Sequence, residues 1–306
     1  LGSFSKVLAP GLRLGYVVAP AALYPKLLQA KQAAAGGAPA VSLPIVTGHR
    51  VQVYAAMERP IGLAFDVAGT LYVGADEISA FPNDPRDPGF VRRVSPRGGT
   101  VQPFGPLQDD PDALVVDTTG RISGTSGALL VSGTTEIAHD SHLTAILPDG
   151  TTRRVLGPQD FQANASAILF DSRGRLLMSD FLQGSYRVLV IAQGTATPLV
   201  DLGSVAPWDI AVDANDRIFV AGEDGIIRVF AADGSLVNAS FASGQPPMRA
   251  LTFDPGGAFA GHLYAIDGGG RLLRIDTLGN TTEVGSGFDT VGASDMVFGP
   301  DRALYV

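Results

Sequence analysis

One short phrase recurs six times along this chain and constrains its fold more than any other feature. A short apolar strand ends in aspartate or glycine, a small-residue turn follows, and a second apolar strand begins. The first copy reads Gly62-Leu63-Ala64-Phe65-Asp66 and then Leu71-Tyr72-Val73. The others run Ala113 to Asp117, Ala167 to Asp171, Asp209 to Asp213, Ala250 to Asp254 and Asp295 to Gly299. Their last residues lie 51, 54, 42, 41 and 45 positions apart, a period that fits one four-stranded blade per copy. The expected fold is all-β, a six-bladed β-propeller. That architecture fixes no chemistry, because function lives in sites grafted onto it.

Composition agrees with many short strands. Thirty-eight glycines and 21 prolines accompany only 17% charged residues, a balance that suits tight turns rather than long helices. Mean hydropathy is +0.21, yet no apolar run approaches the roughly 18 to 20 residues of a spanning helix. A net charge of −8 argues against nucleic acid as a partner, since phosphate-binding surfaces cluster Lys and Arg. With zero cysteines the chain has no disulfide, thiolate metal site or cysteine nucleophile, and its compartment is left open. The start, Leu1-Gly2-Ser3-Phe4, shows no basic region followed by an apolar run, so no signal peptide is read there.

A seam falls near residue 36. Lys6, Lys26 and Lys31 are the only lysines, and after them arginine is the sole permanently cationic side chain. The shift coincides with Gly36-Gly37-Ala38-Pro39-Ala40 and then Pro44, a linker-like stretch. Residues 1–35 therefore read as a separate short α/β fragment, 36–48 as a linker and 49–306 as the propeller. Within the fragment, Gly15 to Val18 is a strand candidate. Leu23, Leu27, Leu28 and Lys31 follow helical spacing after Pro20.

Gly2-Ser3-Phe4-Ser5-Lys6, followed by Ala9-Pro10-Gly11-Leu12-Arg13-Leu14-Gly15-Tyr16, closely resembles the cofactor-lysine segment of fold-type I aminotransferases. The nearest branch holds aminoadipate-type transaminases and aminotransferase-like regulators. The resemblance implies a pyridoxal phosphate Schiff base at Lys6, with Ser3 or Ser5 and Arg13 on the phosphate. The rest of that family's site, its pyridinium-pairing aspartate, ring-stacking aromatic and substrate arms, has no counterpart in the sequence. The segment therefore reads as a remnant, with a pyridoxal phosphate enzyme as one alternative.

Before the first phrase, His49 to Ala56 alternates Val51, Val53 and Ala55 against Arg50, Gln52 and Tyr54. The sixth phrase supplies only two strands before Val306. Ring closure by mixed strands follows, with 49–56 as the outer strand of the last blade. Its third strand is then missing, which leaves that outer strand without a neighbour in register and suggests a chain continuing past Val306.

The repeats resemble NHL-type and senescence-marker or gluconolactonase-type propellers across about residues 49–306. The resemblance implies metal ligands at the residue before each phrase, which here reads Ile61, Asp112, Ser166, Trp208, Arg249 and Ser294. A hard divalent cation wants several converging oxygens, and that set does not supply them. One position on stand Gly62, Ala113, Ala167, Asp209, Ala250 and Asp295.

Asp112, Trp208, Asp209, Arg249 and Asp295 are thus the candidate channel residues, with Trp208 able to stack on a sugar or peptide. The competing role for the aspartates is capping of backbone amides. His139, Asp140 and His142 form a second small cluster, and the loop from Asp76 to Gly89 is acidic without calcium-loop spacing.

The expected function is a binding scaffold for a small polar ligand or a protein, with no cofactor assigned. The alternatives are a metal-dependent hydrolase or lyase using Asp112, Asp209 and Asp295, or pyridoxal phosphate chemistry at Lys6.

Overall fold

The computed structural model describes residues 14–20, 43–57, 60–75, 88–96, 98, 100–106, 108–109, 111–135, 140–157, 160, 165–182, 185–244, 246–256, 261–288 and 295–306. Every regular element among them is a β-strand. The protein is an all-β propeller.

Five blades are each built from consecutive strands, rather than the six expected from the phrase count. The first comprises Pro60–Phe65, Leu71–Ala75, Pro88–Val94 and Val101–Pro103. The second comprises Ala113–Asp117, Ala128–Thr135, Asp140–Ile146 and Thr152–Leu156. The third runs from Ile168–Phe170 to Thr195–Gly203, the fourth from Pro207–Val212 to Leu236–Ser243, and the fifth from Met248–Phe253 to Thr281–Ser286. Short strand Ile45–Val46 adds to the outer edge of the fifth, covering backbone groups that would otherwise offer a template for another chain.

The remaining sheet is composite, ordered Val297–Phe298, Leu304–Tyr305, Leu14–Pro20, His49–Ala56. Here the sequence expectation is corrected. The strand thought missing is Leu14–Pro20, which pairs Val17 with Tyr305 on one side and runs from Leu14 opposite Ala56 to Pro20 opposite His49 on the other. A segment assigned to a separate α/β fragment is a strand of the propeller sheet. No helix accompanies it among the described residues; the expected helix after Pro20 lies outside them.

Position within a sheet sets burial. Second strands such as Leu71–Ala75, Ile218–Gly222 and Leu263–Asp267 are buried at every residue, because neighbouring sheets cover both faces and alternation is lost. The outermost strands are largely exposed, as in Leu236–Ser243. The apolar core is accordingly divided into wedges between successive sheets. Ala128, Leu130 and Leu143 meet Ile168, Leu176 and Met178 between the second and third blades. Ala55, Ala303 and Tyr305 of the composite sheet meet Leu71, Val73 and Val94 of the first blade.

The aspartates that close the phrases order the turns behind them. Asp66 accepts from the amides of Ala68 and Thr70, Asp171 from Arg173 and Arg175, and Asp213 from Asn215 and Arg217. Burial pushes Asp117 up, but bonds from Ser123, Ile122 and Gly120 outweigh it and hold the carboxyl below its ordinary value. At the outer hairpins, Gly234 and Gly279 take positive φ. A Cβ on Gly279 would lie 1.7 Å from the Phe241 carbonyl oxygen, so the hairpin of the fifth blade docks directly onto the outer strand of the fourth.

Candidate functional site

The innermost strands surround an axial cavity of about 350 Å³. Small residues open most phrases because inner strands crowd together there: a Cβ on Gly62 would come within 2.7 Å of the Asp112 carbonyl oxygen. Asp209 and Asp295 break that rule and line the cavity, on alternate sheets of the ring.

Each aspartate grips two backbone amides. Asp209 Oδ1 accepts from Ile210 N at 2.7 Å, and Oδ2 accepts from Leu251 N of the next blade. Asp295 Oδ1 accepts from Met296 N at 2.6 Å, and Oδ2 from Leu63 N of the first blade at 2.7 Å. These are the capping bonds weighed against ligand binding in the sequence, and they join successive sheets at the axis. Burial, with the charge of Asp295 second, pushes Asp209 well above the usual carboxylate range against the pull of the Leu251 and Ile210 amides. Burial raises Asp295 to about 6. Two like charges in a poorly solvated channel resist simultaneous ionisation.

The other candidates separate. Trp208 and Arg249 precede lining residues of the fourth and fifth blades and meet each other, the Arg249 guanidinium lying 4.6 Å from the indole centroid. Asp112 is half-buried, its backbone amide donating to Ser132 O, and it is not among the residues that line the cavity. Ser166, at the same phrase position, does line it, and its hydroxyl donates to Pro207 O. Sequence reasoning placed Ser166 in the right row but gave it no role, because only the fold shows which members of that row reach the axis.

His142 is buried in the third strand of the second blade, opposite Gly133. His139 and the acidic loop 76–87 lie outside the described residues, as do Ser3, Ser5, Lys6, Arg13 and Ser294. Among the described residues no three His, Cys, Asp or Glu side chains converge as a metal-holding group. The two carboxylates in the channel already accept four backbone bonds. That donor set does not fit a calcium ion wanting six to eight oxygens. No helix among the described residues is long and apolar enough to cross a membrane.

Comparison with known proteins supports the fold. A gluconolactonase from Xanthomonas campestris superposes with a TM-score of 0.57 at 17% identity, covering 80% of this chain and 84% of that one. A calcium-binding regucalcin from Agrobacterium tumefaciens gives the same TM-score and identity over 79% and 78% of the two chains. An inactive virginiamycin B lyase variant from Staphylococcus aureus, solved with quinupristin, gives 0.52 at 12% identity over 78% and 73%. The chain shares the propeller architecture of gluconolactonase-like proteins and of that lyase. No family model and no curated protein sequence matches it.

Proposed function

We propose that the protein is a ligand-binding propeller scaffold that takes a small polar molecule at the axial cavity and its mouth. The supporting observation is the cavity itself. It is of a size that accommodates small molecules, with two carboxylates in its wall and the Trp208–Arg249 pair at adjoining strand positions. In this reading Asp209 and Asp295 face the ligand, while Trp208 offers an indole surface and Arg249 a charge beside it. Asp112 contributes to the surrounding rim. The composite sheet acts as the sixth blade, and the propeller body is residues 49–306 with the strand Leu14–Pro20 added to it.

A screen of polyols, lactones, carboxylates, amines and short peptides by thermal shift tests this reading. At least one class should raise Tm at millimolar concentration. Trp208→Ala should weaken that ligand by about tenfold, or 1.4 kcal/mol. A screen in which no class stabilises the protein would leave only a structural scaffold.

The second reading, a metal-dependent hydrolase or lyase, draws on the shared fold with a gluconolactonase and a calcium-binding protein. It requires a stoichiometric divalent cation in protein purified without chelator, and elemental analysis decides it.

A further inference from the structure

We propose that the axial cavity receives a small organic cation with N–H donors, a primary ammonium, held by the carboxylates of Asp209 and Asp295 and by strand-edge carbonyls. The inference rests on the ligand-binding reading above and names its chemical class.

Three features carry it. First, each innermost strand is the terminal member of its sheet, so one edge of its N–H and C=O groups faces the axis without a strand partner. Asp209 and Asp295 take up the amides of Ile210, Leu251, Met296 and Leu63. Four backbone donors are thereby engaged.

Second, the lining contains no Lys, Arg or His among the described residues, and Asp209 and Asp295 are its only ionisable side chains. The charged groups at neighbouring strand positions are Asp112, which does not line the cavity, and Arg249, which is stacked on Trp208. Two carboxylates therefore share a cavity whose wall supplies no countercharge, and a buried charge is stable when paired.

Third, the acceptor geometry suits an ammonium better than a metal. An ammonium needs three acceptors. Two carboxylates offer four oxygens, fewer than the six to eight a calcium ion takes, whereas the lone pairs left after the four amide bonds can still accept from an ammonium. An alkylammonium has an apolar stem that can lie against Leu63, Leu114 and Ile168 of the lining, and the cavity of about 350 Å³ has room for it.

The site carries a proton link. With burial raising both carboxyls and the charge of Asp295 raising Asp209 further, the pair retains a proton in mild acid, and a bound cation favours full ionisation. Binding therefore expels that proton.

Isothermal titration of the full chain at about pH 5.5, between the ordinary carboxylate range and the raised Asp295, provides the test, with butylammonium as the probe, butan-1-ol as its neutral counterpart and butyrate as the anion. Butylammonium should bind at least about tenfold tighter than butanol. Its heat should vary with buffer ionisation enthalpy, reporting proton release. Asp209→Asn and Asp295→Asn should each lose about tenfold in affinity. Either variant can also loosen a sheet junction, so proton release by the wild-type chain stands as the independent readout.

Equal binding of butanol and butylammonium, or butylammonium binding without proton release, overturns the proposal. If butyrate or another class from the screen binds and butylammonium does not, the cation assignment fails while the ligand-binding reading survives. If no class binds at all, both fail.

Discussion

Two junctions of the ring carry the same staple under different constraints. Between the fourth and fifth blades, Asp209 reaches Leu251 N across 42 residues of chain. Between the composite sheet and the first blade, Asp295 reaches Leu63 N across 232 residues. Closing the longer loop costs about 1.5 kcal/mol more chain entropy. The longer closure is also made by weaker elements. The fourth blade begins with strands of 6 and 5 residues, whereas the composite sheet has two inner strands of 2 residues each. Identical side-chain chemistry therefore secures a junction that chain continuity already favours and one that it opposes. The composite sheet is therefore where the ring is expected to open first, since it is held together by strands recruited from the other end of the chain.

Removing residues 1–20 is the most severe way to break this comparison. The deletion takes out Leu14–Pro20, the strand that links Leu304–Tyr305 to His49–Ala56. The expected loss is roughly 4 kcal/mol or more, with a smaller urea m-value as the composite sheet stays open in the folded state. Hydrogen exchange should show the fourth blade still protected. An unchanged midpoint and m-value would mean that the N-terminal piece is dispensable to the ring.

The next largest effect is the pH dependence of the staples. Both carboxyls are raised in the folded protein, Asp295 to about 6, so the folded chain binds more protons than the unfolded chain above pH 4. Their contribution is full below the unfolded value of about 3.9 and is lost as pH climbs through 6. Stability should fall across that window, by an amount on the order of 1–3 kcal/mol. Turn aspartates such as Asp117 and Asp216 are held low, so they weaken the fold only below the window, as acid protonates them. Asp295→Asn should flatten the fall measured by urea titration at several pH values. A slope that survives in the double variant Asp209→Asn/Asp295→Asn would place its origin elsewhere.

What the sequence shows of each junction follows from how local the information is. The phrases announce inner strands because their apolar alternation and turn aspartates are contained in one stretch. Leu14–Pro20 hides because its partners are His49–Ala56, beyond a Gly- and Pro-rich stretch, and Leu304–Tyr305 at the far end of the chain. Its own neighbours carry a motif resembling a different fold, which draws the reading toward a separate unit. At the axis, Asp209 and Asp295 stand out among Gly62, Ala113, Ala167 and Ala250 as the only charged residues in a row of small ones. Their acceptance of backbone amides is not visible in residue identities, since every residue but proline supplies the same amide. The Trp208–Arg249 contact is similarly hidden, because it arises from one phrase position on two successive blades.

That contact supplies the mildest and most specific test of the difference between the junctions. At the fourth–fifth junction the guanidinium of Arg249 lies over the Trp208 ring beside the Asp209 staple. At the closing junction Ile61 takes the phrase position that Arg249 holds at the fourth–fifth junction, and it carries no cation. A double-mutant cycle of Trp208→Ala and Arg249→Ala should give a coupling of about 0.5–1 kcal/mol, the range for a partly exposed cation–π pair. The coupling should appear in global urea stability and in exchange of the Leu251 amide, while exchange at Leu63 is unchanged. Its independence of pH between 4 and 6 separates it from the staple, because the pair contains no carboxylate. A coupling of zero would leave Asp209 as the sole polar link argued for that junction, and the two junctions would then differ only in chain connectivity and strand length.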